Sequence, residues 1–65
     1  MKPQRIRALM VAKKITNIEI ARELGVSPVN VHGVIYGKWS SRRVAVTIAR
    51  KLGKPLEQVF PKYAA

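Results

Sequence analysis

The 65-residue sequence has no cysteine, a single histidine and only three acidic residues, Glu19, Glu23 and Glu57. Without cysteine, neither a disulfide framework nor a thiolate metal site can brace so short a chain. His32 has no partners for metal ligation. With Glu19 explained by helix capping, no Ser-His-Asp, Cys-His or metal constellation can be built, which argues against an enzyme and against any cofactor or small-molecule substrate. Long apolar runs are missing as well. The longest charge-free stretch, Leu24 to Gly37, is too short to span a membrane and is broken by Gly, Pro, Ser, Asn and His. Ala8 to Ala12, between Arg7 and Lys13, is too brief for a signal-peptide core. The expected location is cytoplasmic.

Against these absences stands an excess of positive charge. The chain carries 13 Lys and Arg and a formal charge of +10, beyond what solubility needs and enough for self-repulsion to oppose compaction. A polyanionic partner is the natural explanation. No internal repeat, low-complexity tract or linker interrupts the sequence, so residues 1–65 are expected to form a single domain. A core of that size relies on helix packing, caps and self-association.

The most informative stretch runs from Thr16 to Tyr36 and reads as two short helices broken at Gly25. Thr16 followed by Glu19 has the spacing of a capping box, in which hydroxyl and carboxylate each satisfy an orphan N–H, and Ile15 with Ile20 fits the hydrophobic staple. Ser27-Pro28 is a second helix start, with Val26 and Val31 repeating the staple. Gly25 supplies the left-handed residue that ends the first helix and turns the chain. Ile20, Ala21 and Leu24 share one face, and Val31, Val34 and Ile35 share another. Two helices joined by so tight a glycine turn make a helix-turn-helix at about residues 16–36.

The flanks fit an all-α fold of four to five short helices. Pro3 begins a first helix of about ten residues, with Ile6, Leu9 and Met10 at helical spacing. Gly37 caps the helix that ends at Tyr36, and Lys38 to Arg43 forms a loop leading to a new start at Ser40 or Ser41. Val44, Ala45, Ile48, Ala49 and Leu52 mark a fourth amphipathic helix ending at Gly53. A last turn, Pro55 to Phe60, sets Leu56, Val59 and Phe60 on one side before Pro61, with Phe60 plugging the base of the core.

Ala21, Gly25, Val26, Val31 and Val34 stand where phage repressors of the Cro and CI type place their small, turn and core residues. The chain resembles that lambda-repressor-like superfamily over Asn17 to Tyr36. Its loop K-W-S-S-R-R and its tail I-A-R-K-L-G-K-P-L-E-Q-V-F-P-K-Y are similar to the Ner-like regulators of transposable phages. Phe60 replaces that group's second tryptophan, and Leu56-Glu57 stands where Pro-Glu-Val would be. The resemblance implies a sequence-specific transcriptional regulator, a phage or prophage repressor that occupies an operator in double-stranded DNA.

In this docking mode the Ser27 to Tyr36 helix is the reader, and its solvent-facing positions are Ser27, Pro28, Val29, Asn30, His32, Gly33 and Tyr36. Asn30 and His32 can donate and accept at base edges, and Val29 can pack on a thymine methyl. No Lys or Arg lies on this helix. Asn30 could equally serve the helix start, and Gly33 could mark a close approach of backbone to DNA or a tolerated weak point. Asn17 and Ser27 sit at helix N-termini that favour phosphate, although capping alone also explains Ser27. Lys38, Arg42 and Arg43 are the candidate phosphate clamps. Trp39 is either a sugar-phosphate contact or a cover for the core, the second being the more usual role. One helix reads few base pairs, so a homodimer formed or completed on DNA is expected.

Two other functions fit parts of the pattern. An RNA-binding or nonspecific architectural protein would suit the charge, but offers of exposed aromatics are few. An antitoxin-type interaction module would be expected to add an extended segment for its partner, and none is visible.

Overall fold

Three hydroxyls fix where helices begin. The computed structural model describes residues 1–63, and in it Thr16 Oγ1 accepts the Glu19 N–H at 3.0 Å, Ser27 Oγ the Asn30 N–H at 3.2 Å and Ser41 Oγ the Val44 N–H at 3.4 Å. Each satisfies one of the donors that a helix start leaves without a partner. The elements are α1 (Pro3–Ala12), α2 (Asn17–Leu24), α3 (Pro28–Ile35), α4 (Arg42–Leu52) and α5 (Leu56–Val59), followed by one 3-10 turn, Pro61–Tyr63. The fold is all-α, with no strand among the described residues. None of these helices is long and apolar enough to cross a membrane.

Glycine ends two of the helices. Gly25 and Gly53 both take φ near +70°, and the N–H of the next residue reaches back to a carbonyl of the last turn, Val26 to Ala21 at 3.0 Å and Lys54 to Ala49 at 3.1 Å. The end of α1 has the same shape without the glycine. Lys14 sits at φ 59°, and Ile15 N–H closes onto Met10 carbonyl at 2.8 Å. A side chain in the left-handed region costs about 1–2 kcal/mol. Lys14→Gly is therefore expected to stabilise the fold by roughly 1 kcal/mol, raising the melting temperature by about 4–8 °C in a domain of this size. A lower melting temperature for this variant would contradict the reading.

The capping box is only half made. The Glu19 carboxylate does not return to the Thr16 N–H; it lies 3.6 Å from Lys51 Nζ on α4. Glu23, one turn on, meets Lys51 Nζ at 3.0 Å and Arg50 at 3.1 Å, so an ion-pair cluster ties α2 to α4. The hydrogen bond from Lys51, with the Lys51 and Arg50 charges, holds the Glu23 carboxyl below its ordinary 4.5, and the same bond to Glu23 raises Lys51 above 10.5. The depressed carboxyl contributes stability that is present above pH 4.5 and lost as the pH falls through its folded value; the raised ammonium contributes stability present below 10.5 and lost above its folded value. The cluster is solvent-exposed, so its effect is small and weakened by salt. Glu23→Gln is expected to melt below the wild type at neutral pH in low salt, with the gap closing below pH 4.5. A gap unchanged in acid would show that the pairing contributes nothing.

Behind these ties lies one core. Ile6 and Met10 of α1, Ile20 and Ala21 of α2, Val31, Val34 and Ile35 of α3, and Val44, Ala45, Ile48, Ala49 and Leu52 of α4 are all buried, with Val59 and Phe60 closing one side. Phe60 meets Tyr63 edge-on at 6.1 Å between ring centroids. Thr47, the one buried polar residue among the described residues, donates its hydroxyl to the Arg43 carbonyl at 2.9 Å, which explains why it is tolerated there. With α4 filling the space behind α2 and α3, the outer stripe of α3 is left facing away from the core.

Candidate nucleic-acid interface

Three of the eight residues of α3, Val31, Val34 and Ile35, point inward, which turns Pro28, Val29, His32 and Tyr36 outward. Val29 is 64% exposed, far more than packing would allow. The His32 and Tyr36 rings stack at 4.5 Å, joining them into one aromatic surface along the helix. At the start of α3, Ser27 is exposed with its hydroxyl engaged by the Asn30 N–H, and Pro28 removes one orphan donor. Asn17 opens α2, half-buried, in a shallow cleft with Arg7, Ile15 and Ile18.

Asn30 is half-buried, and its side chain makes no capping bond. Its Oδ1 is buried without a partner. The amide carries two donors and one acceptor, so Asn30 can meet a base edge that presents either kind of group.

Gly33 corrects the expectation of a solvent-facing residue. It is buried, because the Trp39 ring lies on it: a Cβ at position 33 would stand 2.8 Å from Trp39 Cε3 and 2.9 Å from Cδ2. The Gly33 carbonyl also accepts the N–H groups of Lys38 at 2.8 Å and Trp39 at 3.2 Å, so the loop after α3 folds back over the helix that precedes it. The requirement for glycine comes from that indole rather than from DNA approaching the backbone. Gly37, at φ 76°, makes the reversal possible.

Of the three candidate clamps, Lys38 is exposed beside this loop with no side-chain bond to the described residues. Arg43 donates to the Leu24 carbonyl at 3.0 Å, which holds its guanidinium at the turn between α2 and α3. Arg42 is drawn elsewhere, donating to the Tyr63 carbonyl at 2.9 Å. Guanidinium has five donors, so neither bond exhausts it. Of the thirteen Lys and Arg, Arg50 and Lys51 are paired with carboxylates, and the other eleven have no acidic partner among the described residues. No acidic residue lies between Glu23 and Glu57, so α3 and its loop carry none.

A paired helix unit with a projecting second helix, set in an all-α core, is the geometry of helix-turn-helix proteins. The helix-turn-helix family pattern matches residues 6–59 of the chain. The chain belongs to this family, in its Cro and CI type. It is a DNA-binding helix-turn-helix regulator, and the family is a regulatory rather than an enzymatic one. No curated protein and no solved structure matches it. Within this helix-turn-helix protein, α3 is the second helix of the motif, and α4 and α5 form its support. The feature that sequence reading left unassigned is the seat of Trp39. Its signal was there, a glycine inside a helix followed six residues later by the only tryptophan, but the pairing is a tertiary contact that spacing alone does not announce.

Proposed function

We propose that this helix-turn-helix protein is a sequence-specific transcriptional repressor of the phage or prophage type, similar to the Ner-like and Cro regulators, acting at an operator in double-stranded DNA. Residues 1–65 act as one domain in the cytoplasm or nucleoid of a bacterial cell. The observation that carries the proposal is the outward stripe of exposed Pro28, Val29 and Tyr36 with half-buried His32 on the second helix of the motif, in a stretch free of acidic groups. In the major groove, Val29 meets a thymine methyl, His32 and Tyr36 offer polar edges, and the Asn30 NH2 donates to a base acceptor. The N-termini at Asn17 and Ser27, with Lys38, Arg43 and at greater reach Arg42, hold the phosphates that fix register. A homodimer completes the site, because one helix reads too few base pairs for a useful specificity ratio.

The test is capture of sheared genomic DNA by the purified protein, followed by sequencing of what is retained. The expected result is enrichment of a few fragments sharing a two-fold symmetric site, with transcription from an adjoining promoter falling when the protein is supplied. Even retention of all fragments would contradict sequence-specific binding. A single asymmetric site filled by one monomer would contradict the dimer.

A further inference from the structure

On α3 the positions 29, 33 and 36 follow one another at four- and three-residue spacing, so residue 33 belongs to the same outward stripe as Val29 and Tyr36. That position has no side chain of its own. The space above it is filled by the Trp39 ring, which approaches through Cε3, Cδ2 and Cγ, at 2.8, 2.9 and 3.3 Å from where a Cβ would stand. The contacting atoms lie on one edge of the indole, and the opposite edge carries Nε1. Trp39 remains 47% exposed despite this contact, and its Nε1–H makes no hydrogen bond with the described residues. A ring serving only as a core cover would be largely buried, with its donor satisfied. The backbone confines it as well, since the Lys38 and Trp39 N–H groups both bond the Gly33 carbonyl.

We propose that Trp39 is a specificity-determining residue that takes the place of the missing side chain at position 33 and reads DNA in the major groove. Its outer edge packs against a thymine methyl and its Nε1–H donates to a neighbouring base acceptor, since indole has one donor and no acceptor. Gly33 is the positioning residue, because only a bare Cα lets the ring lie this close to the helix. The loop thus supplies to α3 a flat, rigid contact that no side chain of the helix itself could place there. The inference rests on the proposed reading of α3 as the helix in the major groove.

Selection of bound duplexes from a random pool by the wild type and by Trp39→Phe tests it. Phenylalanine can keep a ring on Gly33 but lacks Nε1 and the outer edge. The expected result is that both proteins select the same site except at one or two base pairs per half-site, where the variant is indifferent. Its affinity for the wild-type site should fall about 5- to 10-fold, with affinity for random DNA nearly unchanged. Identical selected sites and affinities would reduce Trp39 to a cover and overturn the proposal. An equal loss on both DNAs with a shallower salt dependence would make it a sugar-phosphate contact, and overturn it too. If the wild type selects no site at all, the major-groove reading of α3 falls and this inference with it. A second measurement needs no variant: replacing each thymine of the selected site by deoxyuridine removes one methyl at a time. Wild-type binding should weaken at a thymine within the base pairs that Trp39→Phe ignores, and insensitivity at every such thymine would refute the methyl contact.

Discussion

Replacing Ile48 by Ala is expected to leave the protein largely unfolded at 37 °C. Ile48 is 0% exposed on α4, at the centre of the face that backs both α2 and α3. Truncating a buried isoleucine costs about 2–5 kcal/mol, and a single core in a domain this small supplies only about 3–5 kcal/mol in all. Two positions earlier on the same helix, Val46 is 41% exposed, and Val46→Ala should stay within about 0.5 kcal/mol of the wild type. Thermal melts followed by circular dichroism check both. At about 4–8 °C per kcal/mol, the two variants should differ by at least about 6 °C. Equal melting temperatures would mean that α4 does not support the motif. Because α4 holds α2 and α3 together, Ile48→Ala should also abolish DNA binding, whereas Val46→Ala should not.

Raising monovalent salt from about 50 to about 200 mM is expected to weaken binding to any duplex by roughly a thousandfold. Three cationic contacts per protomer, proposed for Lys38, Arg43 and a further basic side chain, make about six phosphates in the proposed dimer, and the slope of log K against log salt is then about −5. The eleven basic side chains without an acidic partner among the described residues make such a slope easy to reach. Arg43→Ala should reduce the slope by about 2 for the dimer and weaken operator and random DNA alike. His32→Ala or Tyr36→Ala should instead erase about 1–3 kcal/mol of preference for the operator with the slope nearly fixed. A slope of −1 or less in magnitude, or the opposite division of effects between the two groups of variants, would refute the assignment.

Where local chemistry decides, the sequence was a sufficient guide. Thr16, Ser27 and Ser41 cap their helices because a hydroxyl needs only its own next turn, and Gly25 and Gly53 end theirs because the left-handed conformation is a single-residue property. The periodic apolar residues of α4 are buried as their spacing requires. What escaped is tertiary. The Glu19 carboxylate leaves its own helix start for Lys51, some thirty residues away in the chain, because an ammonium outcompetes a backbone N–H for a carboxylate. Lys14 adopts a left-handed turn that lysine does not advertise. Arg42 and Arg43 are adjacent in sequence, yet their guanidinium groups go to Tyr63 and Leu24, so only one of them is held at the turn of the motif. Gly33 looked like a surface position from its helical angle, and it is buried because the Trp39 ring covers it.

The central claim is that α3 and the loop after it form the DNA-facing surface. Titrating uniformly 15N-labelled protein with a duplex carrying the selected site, and mapping the amide and indole resonances that move, tests this claim most directly. The account predicts the largest shifts at Asn17, at residues 27–39 and at the Trp39 indole N–H, with Arg43 affected and the Glu23–Lys51 face of α2 and α4 unmoved. Shifts centred instead on α1, or on the outer face of α4 around Val46, with α3 unchanged at saturation, would contradict it.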